Sequence, residues 1–128
     1  MPSPTDDPRH ELGRAGEHLA EQYLRLRGLK TITRHFNTPT GEIDLIMRDR
    51  ETLVFVEVKT RRDRKYADPE DAVRASKRRR MTRAAHWFIH KKHWEDQPCR
   101  FDVVAVLLPP DAQPEIEHFP DAFPPQPR

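Results

Sequence analysis

Two β-rich runs joined by a short polar link constrain this chain more than any other feature. Residues 42–48 (EIDLIMR) and 52–60 (TLVFVEVKT) are dense in branched side chains, and Arg48-Asp49-Arg50-Glu51 connects them. This pattern predicts an antiparallel hairpin. Side chains alternate between the faces of a strand, so Glu57 and Lys59 share one face while Val54, Val56 and Val58 point the other way. In the first run Asp44 stands between Ile43 and Leu45. Charges set in apolar strands need partners or a metal, and pairing of the two strands brings Asp44 toward Glu57. Two carboxylates and an ammonium suit a hard, oxygen-ligated cation, magnesium first and manganese as a substitute. Such a cation would polarise a phosphate and activate a water, with Lys59 positioning that water or stabilising the developing charge. The alternative is a structural ion pair between Glu57 and Lys59. A Glu-X-Lys triplet alone does not separate the two; Asp44 one hairpin upstream favours the site.

The flanking segments supply the rest of a layered domain. From Glu11 to about Gly28, Leu12, Ala15, Gly16, Leu19, Ala20, Tyr23 and Leu24 form an apolar stripe at helical spacing, with Glu17 at its margin and Gly28 as the C-terminal cap. Residues 30–36 read as a strand and residues 37–41 as a turn. Asp68-Pro69-Glu70-Asp71 is a helix start, and that helix is expected to run to about Lys92. Residues 100–108 (RFDVVAVLL) form a last strand before Pro109-Pro110. The expected order is α-β-β-β-α-β, an α/β fold with a central mixed sheet flanked by helices. One domain covers residues 9–108, with a loose tail at 1–8. Seven of the thirteen prolines fall in residues 109–128, so that tail is read as mostly irregular, docked in part around 115–123 through Ile116, Phe119 and Phe123.

Charge is distributed unevenly. Residues 61–93 hold twelve Lys and Arg against four Asp and Glu, whereas residues 94–128 hold two against seven. The basic block is either a polyanion-binding face or a solvated helix surface. Within it, Lys77 falls inside the apolar stripe of Val73, Met81, Ala84 and Phe88, so it either snorkels outward or reaches an anion. Arg80 lies toward the edge of that stripe, and Arg79, Arg83 and His86 face outward. With Arg61, Arg62, Arg64 and Lys65, these arginines are candidate phosphate contacts, giving affinity without sequence preference. His86, His90 and His93 share a helical spacing but lack an acidic motif, and solvated histidines are favoured over a zinc site. A single cysteine, Cys99, excludes an intramolecular disulfide. No apolar run approaches membrane-spanning length and no signal peptide is evident, so a soluble cytoplasmic protein is expected.

Several stretches together resemble the bacterial YraN family, within the PD-(D/E)XK restriction-endonuclease-like superfamily. They are Gly13-Arg-Ala-Gly-Glu17 with Ala20 and Tyr23-Leu24, GEIDLI at 41–46, VFVEVKTR at 54–61, Lys77 with Ala84, RFDVV at 100–104 and IEHFPDAF at 116–123. The resemblance implies Asp44 and Glu57 as metal ligands, Lys59 as the catalytic lysine, and the Val58 carbonyl as a further ligand. It also implies that Glu17 matches a first-helix glutamate that helps bind or orient the metal in junction-resolving nucleases. Ile43 replaces the proline of the superfamily motif, and Lys77 stands where some branches carry a glutamine. The expectation is a magnesium-dependent nuclease acting on nucleic acid, DNA foremost and branched or junction DNA among its forms, with a homodimer plausible by analogy to symmetric resolvases. Two alternatives stand beside it: a non-catalytic nucleic-acid-binding module, and a protein-interaction domain with structural ion pairs.

Overall fold

The computed structural model describes residues 8–63 and 74–127. Its elements run α1 (Pro8–Leu26), β1 (Lys30–Thr38), β2 (Gly41–Asp49), β3 (Thr52–Arg61), α2 (Ala75–Lys92), β4 (Cys99–Leu107) and β5 (Glu115–Phe123). The five strands form one sheet in sequence order, β1-β2-β3-β4-β5. β3 and β4 are parallel and every other pair is antiparallel. A parallel pair needs a long crossover, and α2 lies within that connection.

Strand alternation sorts the core into two layers. Val54, Val56 and Val58 pack with Val104 and Val106 against Ala20 and Leu24 of α1. Leu53 and Phe55 pack with Phe101 and Val103 against Met81, Ala84, Ala85 and Phe88 of α2. The helices therefore cover opposite faces of a mixed sheet, giving the α/β restriction-endonuclease-like core expected from the sequence. The β2–β3 hairpin forms as read, with Asp49 opposite Thr52 at the turn.

Both ends of α1 follow from local chemistry. It begins at Pro8, ahead of the apolar stripe and at the last residue of the expected tail, because proline suits the first turn of a helix. At its other end Gly28 takes a positive φ of 99°. Its N–H donates to the Arg25 carbonyl at 3.0 Å, and the Leu29 N–H donates to the Leu24 carbonyl at 3.1 Å. That pair of bonds is a Schellman closure.

Two expectations need correction. α2 begins at Ala75 rather than near Pro69: Arg74 is extended (φ −69°, ψ 160°) and its side chain caps nothing. An extended residue at 74 interrupts the continuous helix expected from Pro69 to Lys92. The capping signal at 68–71, together with Arg64, Lys65, Val73 and residues 1–7, lies outside the described residues. Residues 115–123 form a full edge strand, not a mostly irregular segment with local docking. An edge strand accommodates Pro120, because one side of its ladder needs no donors. The register shifts between Phe101 and Val103, where Pro120 and Asp121 bulge on the partner strand. Asp102, fully buried, fastens this bulge. It accepts from Arg100 Nε at 3.0 Å and from the Asp121 N–H at 2.9 Å, and its Oδ2 lies 2.7 Å from His118 Nε2.

Candidate active site

The β2–β3 ladder pairs residues from the turn up to Leu45 opposite Val56. One step further the Val58 N–H donates to Asp44 Oδ2 at 2.9 Å. A side chain thus takes the place of a strand carbonyl, so Asp44 is held by the backbone of β3 itself. Around Asp44 the simple in–out alternation is interrupted: Ile43 and Ile46 pack on the α2 side, Leu45 and Met47 on the α1 side. That local irregularity lets one carboxylate act on groups from both layers.

Glu57 follows Val56 on β3 and is 4% exposed. Lys59 Nζ lies 3.5 Å from its Oε1, and Lys77 Nζ lies 3.6 Å from its Oε2. Those distances mark ion pairs, not short hydrogen bonds. Among the described residues, Glu57 Oε2 is a buried side-chain oxygen left without a hydrogen-bond partner. Burial and the neighbouring Asp44 carboxylate push the Glu57 carboxyl up to about 8, against the opposing pull of Lys77 and Lys59. Without a cation, this carboxyl takes a proton at neutral pH.

Two glycines bring the helices onto the site. A Cβ at Gly16 would collide with the Thr60 side chain, so α1 crosses close above the end of β3. A Cβ at Gly41 would sit 2.6 Å from the Arg80 carbonyl oxygen, so α2 lies directly on the start of β2. With α2 seated there, Lys77 reaches Glu57, which resolves the choice between snorkelling and contacting an anion.

Glu17 sits on the other side of Asp44. Its Oε2 is 3.0 Å from His35 Nε2, within a small cavity of about 190 Å³ that Arg14, His18 and Arg34 also line. Burial, then the charges of Asp44 and Glu42, raise its carboxyl above the ordinary range, while His35 pulls it down. The structure therefore gathers Asp44, Glu57, Lys59 and Lys77 into one cluster and leaves Glu17 paired with His35 beside it. Arg61 and Arg62 follow Lys59 at the end of β3. Arg79, Arg80 and Arg83 are exposed along α2. His90, also exposed, lies 3.5 Å from the Glu95 carboxylate.

Two features escaped the sequence reading. His35 adopts a left-handed φ of 50° in β1, which nothing in KTITRHF signals. Glu21, one turn after Glu17 on the same helical face, was legible from that spacing. It is buried and accepts from Thr31 at 2.6 Å and from Arg34 at 2.8 and 2.7 Å, and these bonds hold its carboxyl below the usual range.

The donor set suits a small hard cation. Among the described residues no three His, Cys, Asp or Glu side chains gather to hold a metal. Asp44 and Glu57 would therefore bind through two carboxylates, leaving the remaining positions to backbone, water or phosphate oxygens. Magnesium is commonly held in this way. The unpartnered Glu57 oxygen and the burial that favours its protonation mark it as the oxygen such a cation would meet first.

The profile of the uncharacterised protein family UPF0102 matches residues 16–106, which cover the second part of α1, β1, the β2–β3 hairpin, α2 and most of β4. A UPF0102 protein of Syntrophotalea carbinolica is 45% identical over 115 residues, covering 90% of this chain and 93% of the relative. UPF0102 proteins of Geotalea uraniireducens and Rhodococcus opacus are each 46% identical, over 88% of this chain and 88% and 95% of their own lengths. With a profile match across the whole site and relatives this similar over nearly their full length, the chain belongs to the uncharacterised protein family UPF0102, the YraN family.

Proposed function

We propose that this protein is a metal-dependent nuclease that hydrolyses phosphodiester bonds in nucleic acid, DNA foremost. The observation that carries the reading is Glu57: buried, with one oxygen unpartnered, set against a second carboxylate and faced by two lysines. Buried carboxylates displaced this far from their ordinary behaviour cluster at functional sites.

Asp44 and Glu57 would hold magnesium or manganese, with the Val58 carbonyl and Glu17 as the further groups that the family resemblance suggests. When bound, the cation supplies Lewis acidity toward a phosphate oxygen and lowers the pKa of water. The chain's own contributions are positional and electrostatic. The Val58 N–H fixes the orientation of Asp44. Lys59 and Lys77, each less than one third exposed, would present positive charge where negative charge grows on the phosphate during attack. Arg61, Arg62, Arg79, Arg80 and Arg83 would grip flanking phosphates. Hydrolysis adds a water oxygen to phosphorus and breaks one P–O ester bond, leaving one phosphate end and one hydroxyl end.

The test is cleavage of labelled single-stranded, duplex, flap and four-way-junction DNA, and of RNA, with magnesium or manganese. Wild type is run beside Glu57→Ala and Lys59→Ala, with binding scored in parallel. Cutting that requires metal and disappears in both variants is expected. Salt-sensitive binding without cutting, unchanged in the variants, would leave a binding module in place of an enzyme.

A further inference from the structure

α2 carries a second feature that the carboxylate site does not use. Trp87 is 55% exposed, an unusual position for so large an apolar ring, and it is not required by the core. It borders a groove of about 650 Å³ shared with Thr40, Arg83, His86, His90 and Lys91. Arg83, His90 and Lys91 lie at i−4, i+3 and i+4 from Trp87, on its own helical face, and His86 borders it. Over Ala75–Lys92 the helix holds seven Lys and Arg and no Asp or Glu. The ring is therefore an exposed flat apolar surface embedded in positive charge.

From these observations we infer that Trp87 stacks an unpaired base of the bound nucleic acid, while Arg83 and Lys91 hold the adjoining phosphates. The inference rests on the nucleic-acid reading above and assigns that site a substrate class: strands with unpaired bases beside the point of cleavage. An apolar protein partner would leave the surrounding cations unmatched, whereas a nucleotide supplies both a π face and an anion. Base–aromatic stacking framed by a basic groove is the usual way of holding single strands without reading their sequence.

Geometry ties this platform to the carboxylates. Lys77, which touches Glu57, and Trp87 are ten residues apart on one helix, about 15 Å along its axis. At the roughly 3.4 Å rise of stacked nucleotides, that is about four nucleotides from the scissile position. The other wall of the groove, Thr40, precedes Gly41, against which the Arg80 backbone packs, and β2 runs from there to Asp44. A strand crossing the groove is thus led toward the site. A continuous duplex offers Trp87 no open base face.

The test is binding in chelator, so that no cleavage intervenes. Fluorescein-labelled single-stranded, flap and fully paired DNA would be titrated with wild type, Trp87→Ala, Trp87→Phe and Arg83→Ala. Because Trp87 lies outside the core, Trp87→Ala should keep the wild-type circular dichroism and Tm. Trp87→Ala is expected to weaken single-strand and flap binding about tenfold while changing duplex binding less than about twofold. Trp87→Phe should recover most of the loss, and Arg83→Ala should weaken all three alike and flatten the salt dependence. Equal losses on all three DNAs, no loss on any, or no binding by wild type would overturn the assignment. A Trp87-dependent preference in a protein that cuts nothing with metal would keep the stacking platform and remove the nuclease. Metal-dependent cutting with an unchanged preference in Trp87→Ala would do the reverse.

Discussion

Replacing Glu57 with glutamine is expected to stabilise the metal-free fold at neutral pH while abolishing cleavage. The folded protein holds this carboxyl protonated until about pH 8, and the unfolded chain releases the proton near the ordinary 4.5. Between those values folding must take up a proton. Each pH unit above 4.5 therefore costs the folded state about 1.4 kcal/mol, until the penalty levels off beyond about 8. At pH 7 the penalty is about 3 kcal/mol, and at pH 4 it is close to zero. Glutamine has the shape of the protonated acid and needs no proton, so it removes the penalty. The expected gain in Tm at pH 7 is about 10 °C for a chain of this size, shrinking to nothing by pH 4. Opposing this are the ion pairs to Lys59 and Lys77. They are weaker than the burial term: both exceed 3.4 Å, both ammonium groups are partly solvated, and Asp44 cancels much of their field. The assay is urea unfolding in chelator at pH 4, 5, 6, 7 and 8, for wild type and Glu57→Gln. A glutamine variant that is less stable at pH 7, or a difference that does not change with pH, would refute the reasoning. The first result would mean that the lysines hold Glu57 ionised, and the second that burial and the lysines cancel.

Magnesium should raise the Tm of the wild type and leave that of Glu57→Gln nearly unchanged, as scanning calorimetry with and without the ion would show, because only a ligand of the folded state stabilises it. Asp102 gives the opposite pH dependence from Glu57. Burial pushes its carboxyl up, but hydrogen bonds from His118, Arg100 and the Asp121 N–H outweigh this and hold it below the ordinary 3.8. Its contribution is complete above that value and is lost as pH falls through the folded pKa. Asp102→Asn should cost about 3 kcal/mol at pH 7 and less in acid, measured by urea unfolding at both pH values. Gly41→Ala should cost about 1–3 kcal/mol in the same assay, since its Cβ has to push the Arg80 backbone away and with it the helix that carries Lys77.

The division between what the chain's sequence disclosed and what it withheld follows the range of the interactions. The hairpin, the shared face of Glu57 and Lys59, and the Gly28 cap rest on alternation and on one turn of backbone, so a reading along the chain finds them. Lys77 was visible as a cation out of place in an apolar stripe. Its target was not, because the contact depends on α2 lying against Gly41, and a glycine's packing partner leaves no mark in its own neighbourhood. β5 was obscured for a related reason. Prolines argue against a strand on local grounds, while the group that fastens this one, Asp102, belongs to β4.

The same contrast separates two kinds of buried acid in one small sheet. Asp102 and Glu21 are surrounded by donors that satisfy their oxygens, and their carboxyls are held low: these are acids that hold the fold together. Glu57 is buried to a similar degree, yet it faces another carboxylate and two lysines beyond hydrogen-bonding distance, and its carboxyl is driven up. A chain that satisfies Asp102 with three separate donors has the means to satisfy an acid. Leaving Glu57 unsatisfied costs the fold stability at neutral pH. Stability alone would favour glutamine at that position. A glutamate kept there against stability is the observation on which the proposed metal-binding role rests.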